Sequence, residues 1–248
     1  RVWPNPAVGC VVLDAGGRVA GRGWTQPGGR PHAETEALAR AGERARGGIA
    51  YVTLEPCSHH GRTPPCADAL IVAGIARVVA ALEDPDERVA GNGFERLRQA
   101  GLAVEVGLGA REARFDQAGF LMRIEVGRPL IALKSAMSLD GRIAAANGDS
   151  KWITGPEARR LGHLLRAEYD AILVGVGTAL ADDPRLDCRI AGLEGASPVR
   201  VVLDTTLRLA PALDLVAAAR ARAAWVFCRE GADAGRRQAL EASGVRVF

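Results

Sequence analysis

Short apolar runs recur along this chain with helix-patterned stretches between them, and that alternation leaves few folds open to it. Val8 to Leu13 is followed by the turn Asp14-Ala15-Gly16-Gly17 and by Arg18-Val19-Ala20-Gly21, the pattern of a β-hairpin. Ala33 to Ala45 carries an apolar residue every three or four positions, which predicts a helix closed by Gly47-Gly48. Ile49 to Leu54 reads as a buried strand, and the loop Glu55 to Pro65 leads to a helix over Cys66 to Ala73. A strand over Arg77 to Leu82, a helix over Phe94 to Ala100 and a strand over Leu102 to Val106 complete a layered α/β domain with a mostly parallel sheet.

The 248 residues are enough for two ordinary domains. After a helical stretch from Ala110 to about Ile124, Gly127-Arg128-Pro129 interrupts the pattern and Leu130 to Lys134 opens a new strand. The expected domains are therefore 1–126 and 128–248. The second repeats the alternation, with a helix at Pro156 to Glu168 and strands at Ala171 to Val176, Val199 to Asp204 and Ala224 to Cys228. Val245 to Phe248 also reads as a strand, and a start at Arg1 suggests a fragment.

Composition narrows the function. Thirty-two basic against 29 acidic residues leave a net charge of +3, too small and dispersed for a nucleic-acid groove. No apolar run approaches the roughly 20 residues that span a bilayer, and no signal-peptide pattern opens the chain, so a cytoplasmic protein with no membrane partner is expected. Five cysteines are an odd number, which favours metal ligation or free thiols over a disulfide frame.

Three of the candidate metal ligands follow from spacing. His32-Ala33-Glu34 opens a helix, Pro56-Cys57 follows a strand, and Cys66 begins another helix. One imidazole and two thiolates suit zinc, leaving the fourth tetrahedral position open as in a catalytic site, where zinc brings the pKa of bound water to roughly 7. Glu34 is the expected proton carrier, which requires His32 in the first helical turn so that both side chains reach one site. The helix start is expected to favour thiolate at Cys66. His59 and His60 are rival ligands, Glu36 is a rival proton carrier that can instead pair with Arg40, and Cys10 belongs to the core.

His-x-Glu followed by Pro-Cys and a second cysteine is the zinc deaminase signature, here with eight residues between the cysteines. The segment from Thr53 to Cys66 resembles the pyrimidine deaminase domain of the bifunctional riboflavin-biosynthesis deaminase/reductase, whose expanded loop has this length. Pro4-Asn5-Pro6-Ala7-Val8-Gly9, Asp84-Pro85 and Val89-Ala90-Gly91-Asn92-Gly93 match the same family. The resemblance implies a zinc cytidine-deaminase-like α/β/α layered domain, with Asn5 bonded to substrate.

Leu133 to Ala144, Gly148 to Thr154, His163 to Arg166, Ile172 to Thr178 and Ala181 to Leu186 resemble the family's reductase half, a dihydrofolate-reductase-like α/β domain. Gly175-x-Gly177 alone falls short of the three-glycine dinucleotide fingerprint. The resemblance implies NADPH at Ala136, Trp152, Thr178, Asp182 and Thr205, and the phosphorylated substrate at Ser150, Arg166, Leu186 and Arg189. The guanidinium fork suits phosphate. The family's N-terminal helix and its glycine-rich segment beyond this chain's last residue have no match here. The deaminase domain is therefore expected to carry a chemically complete site and the reductase domain an incomplete one.

The expected function is zinc-dependent hydrolytic deamination of 2,5-diamino-6-(5-phosphoribosylamino)pyrimidin-4(3H)-one, then NADPH-dependent reduction of the ribosyl side chain to ribityl, in a homo-oligomer when full-length. A zinc deaminase of nucleosides or RNA bases would call for an aromatic strand-binding surface, and only 4% of the residues are aromatic. A structural zinc site would need a fourth protein ligand.

Overall fold

The structure is a computed structural model that describes residues 2–59 and 64–248. It divides into two compact units, Arg1–Ala132 and Leu133–Phe248. Among the described residues no helix is long and apolar enough to cross a membrane.

The first unit holds a five-stranded sheet in the order β2-β1-β3-β4-β5. The strands are β1 (Gly9–Leu13), β2 (Val19–Trp24), β3 (Ile49–Val52), β4 (Arg77–Ala80) and β5 (Ala103–Val106). β1 runs antiparallel to both β2 and β3, whereas β3, β4 and β5 are parallel. The antiparallel edge is the hairpin, and the parallel strands are joined by the crossover helices α2 (Cys66–Val72) and α3 (Asn92–Gln99). Val12, Ala50, Val52, Val78 and Ala80 point into one core with Leu70 and Leu97.

Helix α1 (Ala33–Ala41) lies against β2 at backbone contact. A Cβ at Gly21 would stand 2.1 Å from the Ala37 carbonyl oxygen, and one at Gly23 would stand 2.1 Å from that of Ala33. Two glycines on alternate positions of one strand thus set the depth of the helix whose first turn carries His32 and Glu34.

The stretch expected as one helix from Ala110 is two, α4 (Ala110–Asp116) and α5 (Ala118–Val126). The break falls at Gln117, whose side chain turns inward and donates to the Thr53 carbonyl at 3.4 Å.

The second unit is a four-stranded parallel sheet in the order β6-β7-β8-β9. Its strands are β6 (Ala171–Gly175), β7 (Val199–Leu203), β8 (Ala224–Phe227) and β9 (Arg246–Val247). The expected helix appears as α6 (Pro156–Glu168), with Pro156 in its first turn. Three shorter helices follow: α7 (Val176–Asp182), α8 (Asp214–Ala217) and α9 (Ala234–Ala242). Val174, Val202 and Val226 form one face of the sheet and pack with Val176, Leu215 and Leu240.

The strand expected at Leu130 to Lys134 is not formed. Its apolar run gives a tendency to extend, but a strand needs a neighbouring backbone to bond with. Among the described residues none pairs with it, and Leu133 is exposed.

Candidate metal centre and its cleft

The first turn of α1, the exit of β3 and the start of α2 bring three ligand atoms together. His32 is the residue preceding α1, Cys57 lies five residues beyond β3, and Cys66 is the first residue of α2. His32 Nδ1 is 3.2 Å from Cys66 Sγ and 3.7 Å from Cys57 Sγ. A tetrahedral zinc with ordinary Zn–N and Zn–S bonds separates such donors by about 3.6 Å. The donor set and its spacing therefore fit zinc, and the ligand atoms all lie within 4.8 Å of one another.

The Cys66 backbone N–H donates to Cys57 Sγ at 3.3 Å. The neighbouring Cys66 and His32 draw the Cys57 thiol down.

Glu34, the second residue of α1, is 3% exposed, and burial pushes its carboxyl up to about 7. Both His32 and Glu34 line a cleft of about 240 Å³, together with Asn5, Cys57, His59 and Asp84. Asn5 is seated against Gly29, where a Cβ would fall 1.9 Å from the Asn5 amide nitrogen. Glu36 is paired instead with Arg40 at 3.2 Å. His59 reaches the cleft wall but is not one of the clustered ligands. His60 lies outside the described residues.

Several lining residues carried no signal in the ligand spacing. Arg30, Arg88 and Arg123 bring positive charge to the cleft, and Glu55 and Asp84 are buried beside it. Asp84 is pushed up to about 6 by burial, and Asp86 is drawn down to about 2 by its hydrogen bond from Arg88.

In the second unit the expected ligands are more dispersed. Ala136, Ser150 and Trp152 lie on a stretch without strand or helix, and Trp152 is 72% exposed, with the Arg159 guanidinium 4.3 Å from its ring centroid. Thr178 and Asp182 are exposed on α7, which begins directly after β6, and Thr205 is exposed just past β7. The Leu186 side chain belongs to the core, so only its backbone is open to a ligand. Arg166 and Arg189 do meet. Arg166 donates to the Asp187 carbonyl at 3.0 Å, and Arg189 donates to the Asp187 carboxylate at 2.8 Å. Arg185 and Arg222 reach that carboxylate as well, at 3.0 and 2.8 Å. Asp187 was not legible as a hub because two of its four partners, Arg166 and Arg222, lie 21 and 35 residues away in the chain.

Two family models match the chain. The cytidine and deoxycytidylate deaminase zinc-binding region matches residues 3–82, and the RibD C-terminal domain matches residues 129–248. The riboflavin biosynthesis protein RibD of Escherichia coli is 52% identical over 219 residues, covering 84% of this chain and 59% of that protein. The chain thus spans a little under two thirds of that curated relative. The solved Acinetobacter baumannii RibD is 41% identical with a TM-score of 0.88, over 100% of this chain and 68% of that one. A Thermotoga maritima structure described as a diaminohydroxyphosphoribosylaminopyrimidine deaminase/5-amino-6-(5-phosphoribosylamino)uracil reductase is 39% identical with a TM-score of 0.86. It is matched over 100% of this chain and 75% of its own. A deaminase-type zinc-binding region followed by a RibD C-terminal domain, in the fold of solved RibD structures, makes this chain a member of the RibD family of riboflavin biosynthesis proteins.

Proposed function

We propose that the first unit deaminates a phosphorylated diaminopyrimidine, 2,5-diamino-6-(5-phosphoribosylamino)pyrimidin-4(3H)-one, and that the second serves the reduction of the product's ribosyl group to ribityl. The observation that carries the first half is the clustering of His32, Cys57 and the buried Cys66 at a cleft that His32, Cys57 and the buried Glu34 line. His32 Nδ1 and the two sulfurs would hold zinc, whose contribution when bound is a water acidic enough to act near neutral pH.

Glu34 then moves the proton. Its carboxyl, held up near 7 by burial, is poised to accept from the attacking water and to donate to the departing amino group. Water adds to the ring carbon with one of its protons going to the adjacent ring nitrogen; the other goes to the amino group, the carbon–nitrogen bond breaks, ammonia leaves and the ring carbon becomes a carbonyl. Asn5, fixed against Gly29, orients the pyrimidine.

In the second unit Ala136, Trp152, Thr178, Asp182 and Thr205 would contact NADPH, which supplies the hydride. Ser150, Arg166, Leu186 and Arg189 would contact the substrate. The convergence of Arg166 and Arg189 at Asp187 supports phosphate recognition by paired guanidinium groups. The RibD domain pair and the exposed Thr178 and Asp182 support the cofactor reading. The full-length protein would work on this small-molecule substrate in the cytoplasm as a homo-oligomer.

The test is ammonia release from the diaminopyrimidine by the full-length protein, wild type against Glu34→Ala. The expected result is a loss of at least about a hundredfold with the substitution. Undiminished release by the variant would remove Glu34 from the reaction.

A further inference from the structure

Glu55 stands at the exit of β3, two residues before Cys57, and is 4% exposed. A buried carboxylate ordinarily needs a cation or several donors. Here it has four backbone N–H groups. Oε2 accepts from Asp84 at 3.2 Å and from Gly91 at 3.0 Å, while Oε1 accepts from Gly93 at 2.8 Å and from Phe94 at 3.2 Å.

These donors belong to two places in the chain. Asp84 follows β4, and Gly91, Gly93 and Phe94 form the start of α3, whose preceding residue Gly91 offers no side-chain cap of its own. The cap thus arrives from 36 to 39 residues away. The same segment meets the Cys57 loop at backbone contact, since a Cβ at Gly93 would stand 2.1 Å from the Pro56 carbonyl oxygen. Between the bonded ends, residues 84–91 carry Asp84, Asp86, Arg88 and Val89, which form one wall of the cleft that holds His32 and Glu34.

We propose that Glu55 is a positioning residue for deamination: it joins the loop bearing the ligand Cys57 to the cleft wall of residues 84–91. The proposal rests on the deaminase reading above. Local capping of α3 would need only a Ser, Asp or Asn beside the helix. A remote carboxylate bonded to both ends of the wall also fixes its distance from the ligand loop, and small displacements of positioning groups are costly in rate.

The experiment compares Glu55→Gln with Leu97→Ala in the zinc-loaded full-length protein. Gln keeps the size but turns an NH2 group toward two of the donors. Leu97 is buried in the core on α3 and serves as a control for lost stability alone. Zinc content, kcat and KM for the diaminopyrimidine are measured at a temperature where each variant is folded. The expected result is unchanged zinc content in Glu55→Gln with KM raised about tenfold or more. Leu97→Ala should keep the wild-type KM. A wild-type KM in Glu55→Gln, or an equal rise in Leu97→Ala, would overturn the proposal. Should Glu55→Gln fail to fold, Glu55→Asp is read by the same criterion, because it keeps the charge and shortens the reach. A zinc-loaded wild type that releases no ammonia would overturn the deaminase reading itself, and this proposal with it.

Discussion

The two units of this chain match known family patterns over segments of similar quality, yet their candidate sites are built differently. In the first, three candidate metal ligands cluster, two of them, His32 and Cys57, line one cleft with the buried Glu34, and the helix that begins at His32 and carries Glu34 is seated on a strand through Gly21 and Gly23. In the second, only Arg166 and Arg189 converge, while Ala136, Ser150 and Trp152 lie on irregular chain. Sheet burial differs in parallel. Strand β4 has three successive buried residues, whereas Leu173 of β6 and Leu203 of β7, on the face opposite the core, are 58% and 48% exposed. Matching a motif reports kinship; the meeting of side chains from separate elements reports chemistry.

The comparison breaks most easily at its glycines. Gly23→Ala drives a methyl group into the backbone of α1 and is expected to destabilise the first unit by about 3 kcal/mol. Gly175→Ala in the second unit meets nothing within 4 Å and is expected to change stability by less than about 0.5 kcal/mol. Thermal unfolding of both variants measures the contrast, and equal effects would show that the close seat of α1 on β2 is not rigid.

The units are also expected to respond to pH in opposite senses. Asp84 has a folded pKa raised to about 6 from an ordinary 3.8, so its contribution is fully present below that lower value and is lost as pH rises through 6. Asp84→Asn keeps the acceptor for the Asp86 N–H and cannot ionise. It should stabilise the first unit by about 2 kcal/mol at pH 8 and by nothing near pH 4. Asp187, in contrast, is held below the usual carboxylate range despite its burial, by the hydrogen bond from Arg189 and the charges of Arg185 and Arg222. Its contribution is present above the ordinary carboxylate pKa and lost as pH falls through the folded value, so Asp187→Asn should destabilise the second unit at pH 7 and progressively less as the pH falls below the ordinary carboxylate range. Tm measured across pH for both variants at equal zinc loading checks the signs.

The smallest effect is expected at the rim. Arg88 is 73% exposed in its pair with Asp86, and Arg88→Ala should cost less than about 1 kcal/mol. A larger loss would mean that the wall of residues 84–91 depends on this pair as well as on Glu55.

What the sequence made legible follows from what each role demands. Zinc restricts residue types, so His32, Cys57 and Cys66 stand out by identity and order, and Glu34 by its offset from His32. Glu55 was invisible because its partners are backbone N–H groups, which every residue carries, brought near only by folding. Gly21 reads as the end of a hairpin arm and Gly23 lies past its expected limit, with nothing in the hairpin to indicate the helix above. Most strands and helices fall within a residue or two of their expected limits. The strand at Leu130 to Lys134 does not, since an apolar run cannot specify a pairing neighbour. The break at Gln117 depends on a side chain reaching a carbonyl 64 residues away. Helix α8 has only four residues, too brief for its periodicity to register.

The most direct test of the central claim is zinc per chain in three purified proteins: wild type, Cys57→Ser and Glu34→Gln. The account predicts one zinc in the wild type, a large loss in Cys57→Ser, and one zinc retained in Glu34→Gln, because Glu34 serves the proton and not the metal. Full zinc in Cys57→Ser, or its loss in Glu34→Gln, would contradict that division of labour.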